Sequence, residues 1–323
     1  MRVTTFLLAG LALTAACRGG DGDGTDGTNT EDIVDTELLE QVGAEWQTKA
    51  NLDNMTVELV TDARDCDVPR WWFAQPYNYN PETLKGDGIH MVDLSYPIDQ
   101  FEENTPRIVM YNIEQDGTYT LAGLEWYFEP PGQEPLAEQP TLFGVPMDGM
   151  MEPHVPGRQQ LHYDLHGWIW ITSPDNDYGY FNAFNEAMEP PPFWWDYEPT
   201  VFDSFKFFDP TVREGLGYVM GDCADTEGVR YTNDALVGQL DPFAPDTLFY
   251  DVNGIWLGQQ WTIHESEVTE VPTLHEQTFA GPDADGNYYL RTWMGSRVNP
   301  DGMFADSHRF VSCNEPAIPA DCM

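Results

Sequence analysis

Positive charge is what this sequence has least of. The chain of 323 residues carries 14 Lys+Arg against 55 Asp+Glu, a formal net charge of −41. Its lysines are Lys49, Lys85 and Lys206 alone. A surface so poor in cations excludes nucleic acid as a partner and direct docking on anionic lipid headgroups. Beyond the first residues, no run approaches the ~20 apolar residues of a membrane-spanning helix. The five cysteines contain no Cys-x-x-Cys pair, which argues against a thiolate-rich metal site. A Gly-x-Ser-x-Gly turn and a phosphate-cradling glycine loop are also missing, which removes the serine-hydrolase and nucleotide-binding readings. What is present is apolar enough to fold, with 41% hydrophobic and 13% aromatic residues, including 11 Trp. A folded chain with this much like charge suits a salty exterior, where screening weakens self-repulsion.

The N-terminus supplies an address. Arg2 precedes the apolar run Val3–Ala16, which ends in small residues before Cys17. A basic start, a short apolar centre and small residues predict an export signal over residues 1–17. The Ala15-Ala16-Cys17 junction resembles a bacterial lipoprotein signal, which implies acylation of Cys17 and a cell-envelope location on the outer membrane. Leu13 stands four residues before Cys17, one further than the usual pattern, and a secreted soluble protein is the alternative. Residues 18–31 are Gly- and Asp-rich without an apolar side chain, as in a flexible tether. Cys66, Cys223, Cys313 and Cys322 then remain, an even number in an oxidising compartment.

The chain resembles itself along its length. Gly88 to Met91 matches Gly228 to Tyr231, Pro106 to Tyr111 matches Pro245 to Tyr250, and Gly123 to Trp126 matches Gly258 to Trp261. Pro140 to Leu142 matches Pro272 to Leu274, Asp164 to Trp168 matches Tyr289 to Trp293, and Gly179 to Phe181 matches Gly302 to Phe304. The matches keep their order, and the offset falls from 139 at Tyr111/Tyr250 to 125 at Trp168/Trp293. A duplicated unit is expected, with copy one over 32–198 and copy two over 199–323. This repeat favours a Cys223–Cys313 disulfide and leaves Cys66 with Cys322. Thr118–Phe128 and Leu161–Ile171 read as strands, rich in aromatic and branched residues between Pro, Gly and Asp turns. Val34, Leu38, Val42 and Trp46 recur every fourth residue and predict one short N-terminal helix. The fold class is mainly β, with two similar β-sandwich or barrel-like domains.

Four of the seven His (His90, His154, His162 and His166) lie in copy one. On a strand His162, Asp164 and His166 point to one face, because side chains alternate. His90 and Glu125 sit on two other expected strands. His90, Glu125, His162 and His166 therefore form a candidate set for a divalent transition metal such as Zn, Mn, Fe, Ni or Cu. His154 and Asp164 are secondary candidates, Asp164 as a ligand or as an acceptor from an imidazole N–H. Copy two has Arg230, Gln260, Asn287 and Arg291 at the four positions, while the framework Tyr, Gly and Trp residues are kept. Joint loss is the expectation for one site rather than four separate structural residues. No catalytic base can be named beyond Glu125 or Asp164.

The run from His162 to Trp170, with Gly179 to Asn185 after it, resembles a group of secreted bacterial proteins and lipoproteins without an assigned activity. That group shares a His-Tyr-x-Leu-His-x-Trp signature, a Gly-x-Phe-x-x-x-Asn-Pro tail, an upstream Gly-x-His-Tyr and a Glu before an aromatic residue. Here Met91 replaces the Tyr and Glu186 replaces the Pro. The resemblance implies that the His and Glu residues act as a set, and implies no reaction. Trp71-Trp72-Phe73 and Phe193-Trp194-Trp195 offer a competing function as stacking surfaces for a glycan or another small ligand, set against burial of the same rings. A structural envelope protein is the third reading.

Overall fold

The structure, a computed structural model, describes residues 35–50, 71–75, 79–80, 85–93, 100–151, 161–171, 180–181, 185, 188–295, 299–309 and 311–314, without the side chains of 48–50, 71–75, 79–80, 85 and 92–93. The expected signal, the tether, Cys17, Cys66, Cys322 and His154 lie outside these residues, as do the side chains of Trp71, Trp72 and Phe73.

The chain enters through α1 (Thr36–Ala50). The Leu38 N–H donates to Asp35 Oδ1 at 2.9 Å, satisfying a donor that the first turn leaves open. Leu39, Val42 and Trp46 are buried along one stripe. A Cβ on Gly43 would lie 2.6 Å from Ile169 Cγ2, so glycine lets the helix approach Ile169 closely.

Strands follow as β1 (Trp71–Gln75), β2 (Tyr79–Asn80), β3 (Lys85–Gly86), β4 (Ile89–Asp93) and β5 (Ile108–Ile113). Next come β6 (Tyr119–Phe128), β7 (Thr141–Leu142), β8 (Val145–Pro146), β9 (Asp148–Met151) and β10 (His162–Gly167). Further on lie β11 (Val219–Ala224), β12 (Gly228–Thr232), β13 (Thr247–Tyr250), β14 (Trp256–His264), β15 (Thr273–Leu274), β16 (Gln277–Thr278) and β17 (Asn287–Thr292). The first sheet has the order β1-β4-β5-β6-β10-β9 and the second β11-β12-β13-β14-β17. Short hairpins β7–β8 and β15–β16 accompany them. The protein is thus mainly β and sandwich-like. Strand β10 stops at Gly167 rather than running to Ile171, because the Trp168 N–H turns to Tyr180 O and the Trp170 N–H to Ala122 O.

The two sheets share a register as well as an order. β4 pairs His90 with Met110, and β12 pairs Arg230 with Phe249. β6 sets Glu125 beside Ile108 and Gly123 beside Met110 before a bulge, and β14 sets Gln260 beside Thr247 and Gly258 beside Phe249 before a bulge. Gly88 and Gly228 have φ of +75° and +85°, and a Cβ there would stand 2.6 and 2.2 Å from Tyr111 O and Tyr250 O. Glycine alone fits both places. The Trp168 N–H donates to Tyr180 O and the Trp293 N–H to Met303 O, each at 2.8 Å.

One apolar cluster takes Tyr111, Trp126 and Leu165 from the first sheet, and Leu248, Tyr250 and Trp256 from the second. The described residues gather into a single compact unit. Two further helices, α2 (Pro192–Ser204) and α3 (Pro210–Gly215), join the halves, where the sequence led us to expect the N-terminal helix alone. In α2 the residues Phe193, Trp194, Tyr197 and Val201 are buried. Their spacing of one, four and eight is helical, but Pro191, Pro192 and Pro199 around them read as loop. Pro192 begins the helix, where its missing N–H and fixed φ cost nothing.

Candidate metal centre

Alternation along each strand builds the site. In the first sheet Ile89, Met91, Leu124, Trp126, Tyr163 and Leu165 belong to the apolar cluster. Their neighbours His90, Glu125, Asp164 and His166 therefore project from the opposite face. β10 and β6 pair His166 with Glu125 and Asp164 with Tyr127. His90 comes from β4, two strands from β6, and reaches over β5. Met110 of β5 pairs with both His90 and Gly123, and the absent side chain of Gly123 makes room for it; a Cβ there would stand 2.6 Å from Met110 Cε.

His90 Nε2 lies 3.5 Å and His166 Nε2 3.6 Å from Glu125 Oε2. One donor atom from each of the three residues falls within 4.8 Å of the others. The shorter spacings match an edge of about 3.4 Å for a tetrahedron with ~2.1 Å metal–ligand bonds. The residues are 2%, 0% and 6% exposed for His90, Glu125 and His166. Both oxygens of Glu125 are buried with no hydrogen-bond partner among the described residues. Leaving a carboxylate in that state is costly unless a cation meets it. Burial pushes Glu125 well above the usual carboxylate range, and the Asp164 and Asp87 charges push it further.

His162 is buried on the same face but does not join this group among the described residues. The reason is strand geometry, since four residues of extended chain put His162 and His166 about 13 Å apart. Its Nε2 instead faces Asp164 Oδ2 at 3.8 Å, and its ring stacks on Tyr127 with centroids 4.6 Å apart. Asp164 Oδ1 in turn lies 3.8 Å from His166 Nδ1, behind the imidazole. Asp164 is also held well above its ordinary range, first by burial and then by the charges of Asp148 and Asp87.

The second sheet holds a different chemistry at the equivalent places. Arg291 stands opposite Gln260, as His166 stands opposite Glu125. Arg291 Nε donates to Gln260 Oε1 at 2.7 Å, and its Nη1 reaches Glu227 Oε1 at 3.0 Å. Arg230 ion-pairs with the same Glu227. Glu227 precedes Gly228 as Asp87 precedes Gly88, so Asp87 is the acidic residue that self-comparison could have found. Tyr127 and Asp148 carried no such signal, because their roles depend on which strands become neighbours.

Cys223 and Cys313 are bonded, with Cα atoms 5.8 Å apart. Of the aromatic run Phe193-Trp194-Trp195, the first two rings are buried and Trp195 is 47% exposed, so α2 presents no three-ring platform. Among the other His, His275 pairs with Asp196 Oδ2 at 3.1 Å and His308 sets its ring edge against Trp293, both away from the first-sheet group. No protein-family model, no curated protein and no solved structure matches this chain.

Proposed function

We propose that the protein binds one divalent transition metal through His90, Glu125 and His166, on the face of its first sheet. One observation carries the reading. A fully buried carboxylate lies between two imidazole nitrogens at 3.5 and 3.6 Å, and neither of its oxygens accepts a hydrogen bond from a described residue. Two imidazoles and a carboxylate suit Zn, Mn, Fe, Ni or Cu better than Ca or Mg, which take oxygen ligands.

The second sheet supports the same reading from the other side. There the acidic Glu227 is met by Arg230 and Arg291, which bring fixed positive charge to the places of His90 and His166. We take the shared order and register as the trace of a duplicated unit, copy one over 32–198 and copy two over 199–323. In this account copy two has exchanged a bound ion for guanidinium groups. We further place the chain in the cell envelope, exported by residues 1–17 and anchored by lipid on Cys17, with residues 18–31 as its tether.

The test is metal content per chain, by plasma mass spectrometry, on residues 18–323 produced in the periplasm without a His tag. Near one equivalent in the wild type, and none in folded Glu125→Gln and His166→Ala variants, is expected. Absence of metal from the wild type after exposure to each candidate ion would overturn the reading. Membrane fractionation of the full chain beside Cys17→Ser tests the anchor.

A further inference from the structure

We propose that this centre is a reactive site rather than a structural one, with a coordination position kept for an exchangeable water or small anion. The inference rests on the metal reading above and adds the kind of site it is. Structural zinc sites close their shell with four protein ligands, whereas catalytic ones use three and leave the fourth to solvent. Here three strands, β4, β6 and β10, each supply one donor, and no fourth His, Cys, Asp or Glu joins them among the described residues. A two-His, one-carboxylate set of this kind supports Lewis-acid activation of water or binding of a small oxidant.

A second observation concerns the polar groups around the donors, which extend to a cleft wall. Asp164 and His162 are buried on the same pleated face, outside the donor group. His166 presents Nε2 to Glu125 and Nδ1 to Asp164, on opposite sides of its ring. Asp164 Oδ1 faces Nδ1 across 3.8 Å, beyond hydrogen-bond reach; metal binding is expected to close that gap, with a proton on Nδ1 and Nε2 free for the metal, which makes Asp164 a positioning residue. Its other oxygen faces His162, and His162 lies on the ring of Tyr127. Tyr127 also lines a cleft with Phe101, Thr105 and Arg107. Polar groups thus run from a cleft wall through Tyr127, His162 and Asp164 to the ligand His166. The ligands are at most 6% exposed, which restricts the exchangeable partner to water or a small anion.

Metal-free protein of residues 18–323 is loaded with Co(II), and azide is titrated while visible absorption is recorded. One bound Co(II) and a saturable azide-dependent shift of its bands are expected. Asp164→Asn should keep the band shape and the single equivalent at saturation, with Co(II) affinity lowered ~10- to 100-fold. Bound Co(II) with bands that azide does not move would overturn the inference while leaving the metal reading intact. An azide response that appears only in His154→Ala would overturn it too, by making His154 the fourth ligand. Failure to bind Co(II) at all, repeated with Zn(II), would remove both.

Discussion

His166 and Arg291 occupy the same register position of two like-ordered sheets, one opposite Glu125 and the other opposite Gln260. The exchange is electrostatic in content. A guanidinium carries its charge with it and donates to Gln260, Glu227 and the Asp306 carbonyl, so the second cluster is satisfied by protein groups. An imidazole brings no fixed charge, and Glu125 beside it is left with two buried oxygens that accept nothing from a described residue. In the proposed reading, a metal ion supplies what the arginines supply in the other sheet.

Glu125→Gln separates the metal from the fold. In the metal-free protein the amide removes a carboxyl that burial and two neighbouring acids disfavour in its charged form. Its thermal midpoint at neutral pH should equal or exceed that of the metal-free wild type. The gain in midpoint on adding metal, present in the wild type, should vanish. Scanning calorimetry with and without one equivalent of metal checks both.

The pH dependence of stability should change sign with metal. Folding raises Glu125 and Asp164 above their ordinary 4.5 and 3.8. Above those values the folded state keeps protons that the unfolded chain has released, so metal-free stability falls as pH rises through the raised range. With metal saturating, the ligands must be deprotonated to bind, and stability should rise with pH instead. Urea midpoints between pH 5 and 8 in about 1 M NaCl, where surface repulsion is screened, give the comparison.

If the sheets are equivalent, the second can be given the site. The triple variant Arg230→His, Gln260→Glu, Arg291→His places the first sheet's donors at the matching positions. Its metal content should rise from about one to about two equivalents, the number expected for two independent sites of similar ligand set. A folded triple variant that still binds one would count against equivalence of the two faces.

The Cys223–Cys313 bond spans 90 residues. The double variant Cys223→Ala, Cys313→Ala should lose about 3–4 kcal/mol of stability, read from urea unfolding. Metal binding in the first sheet should survive, since the bond ties β11 to the C-terminal residues rather than to β4, β6 or β10.

The large net charge of −41 gives a salt test. Raising NaCl from about 0.1 to about 1 M should raise the thermal midpoint, because the screening length falls from ~10 to ~3 Å. An unchanged midpoint would indicate that the acidic surface does not strain the folded state.

Much of the site was legible because the sequence carries two periodicities. Alternation put Asp164 and His166 on one face, and self-comparison singled out His90 and Glu125 by what stands at 230 and 260. The same alternation over-read His162: sharing a face does not mean sharing a centre when four residues of strand intervene. The α2 stripe of Phe193, Trp194, Tyr197 and Val201 was hidden by prolines that punctuate loops and helix starts alike.

The sequence by itself determined the β character, the repeated framework of Gly88/Gly228, Tyr111/Tyr250 and Trp126/Trp261, and the residue types of a candidate metal site. These follow from local rules, namely which side of a strand a residue takes and where only glycine fits. Tertiary structure alone decided that β4 and β10 flank β5 and β6, bringing His90 and His166 onto Glu125 while His162 turns to Asp164 and Tyr127. Strand order and register arise from long-range pairing, and local preference carries no information about which distant strand becomes a neighbour.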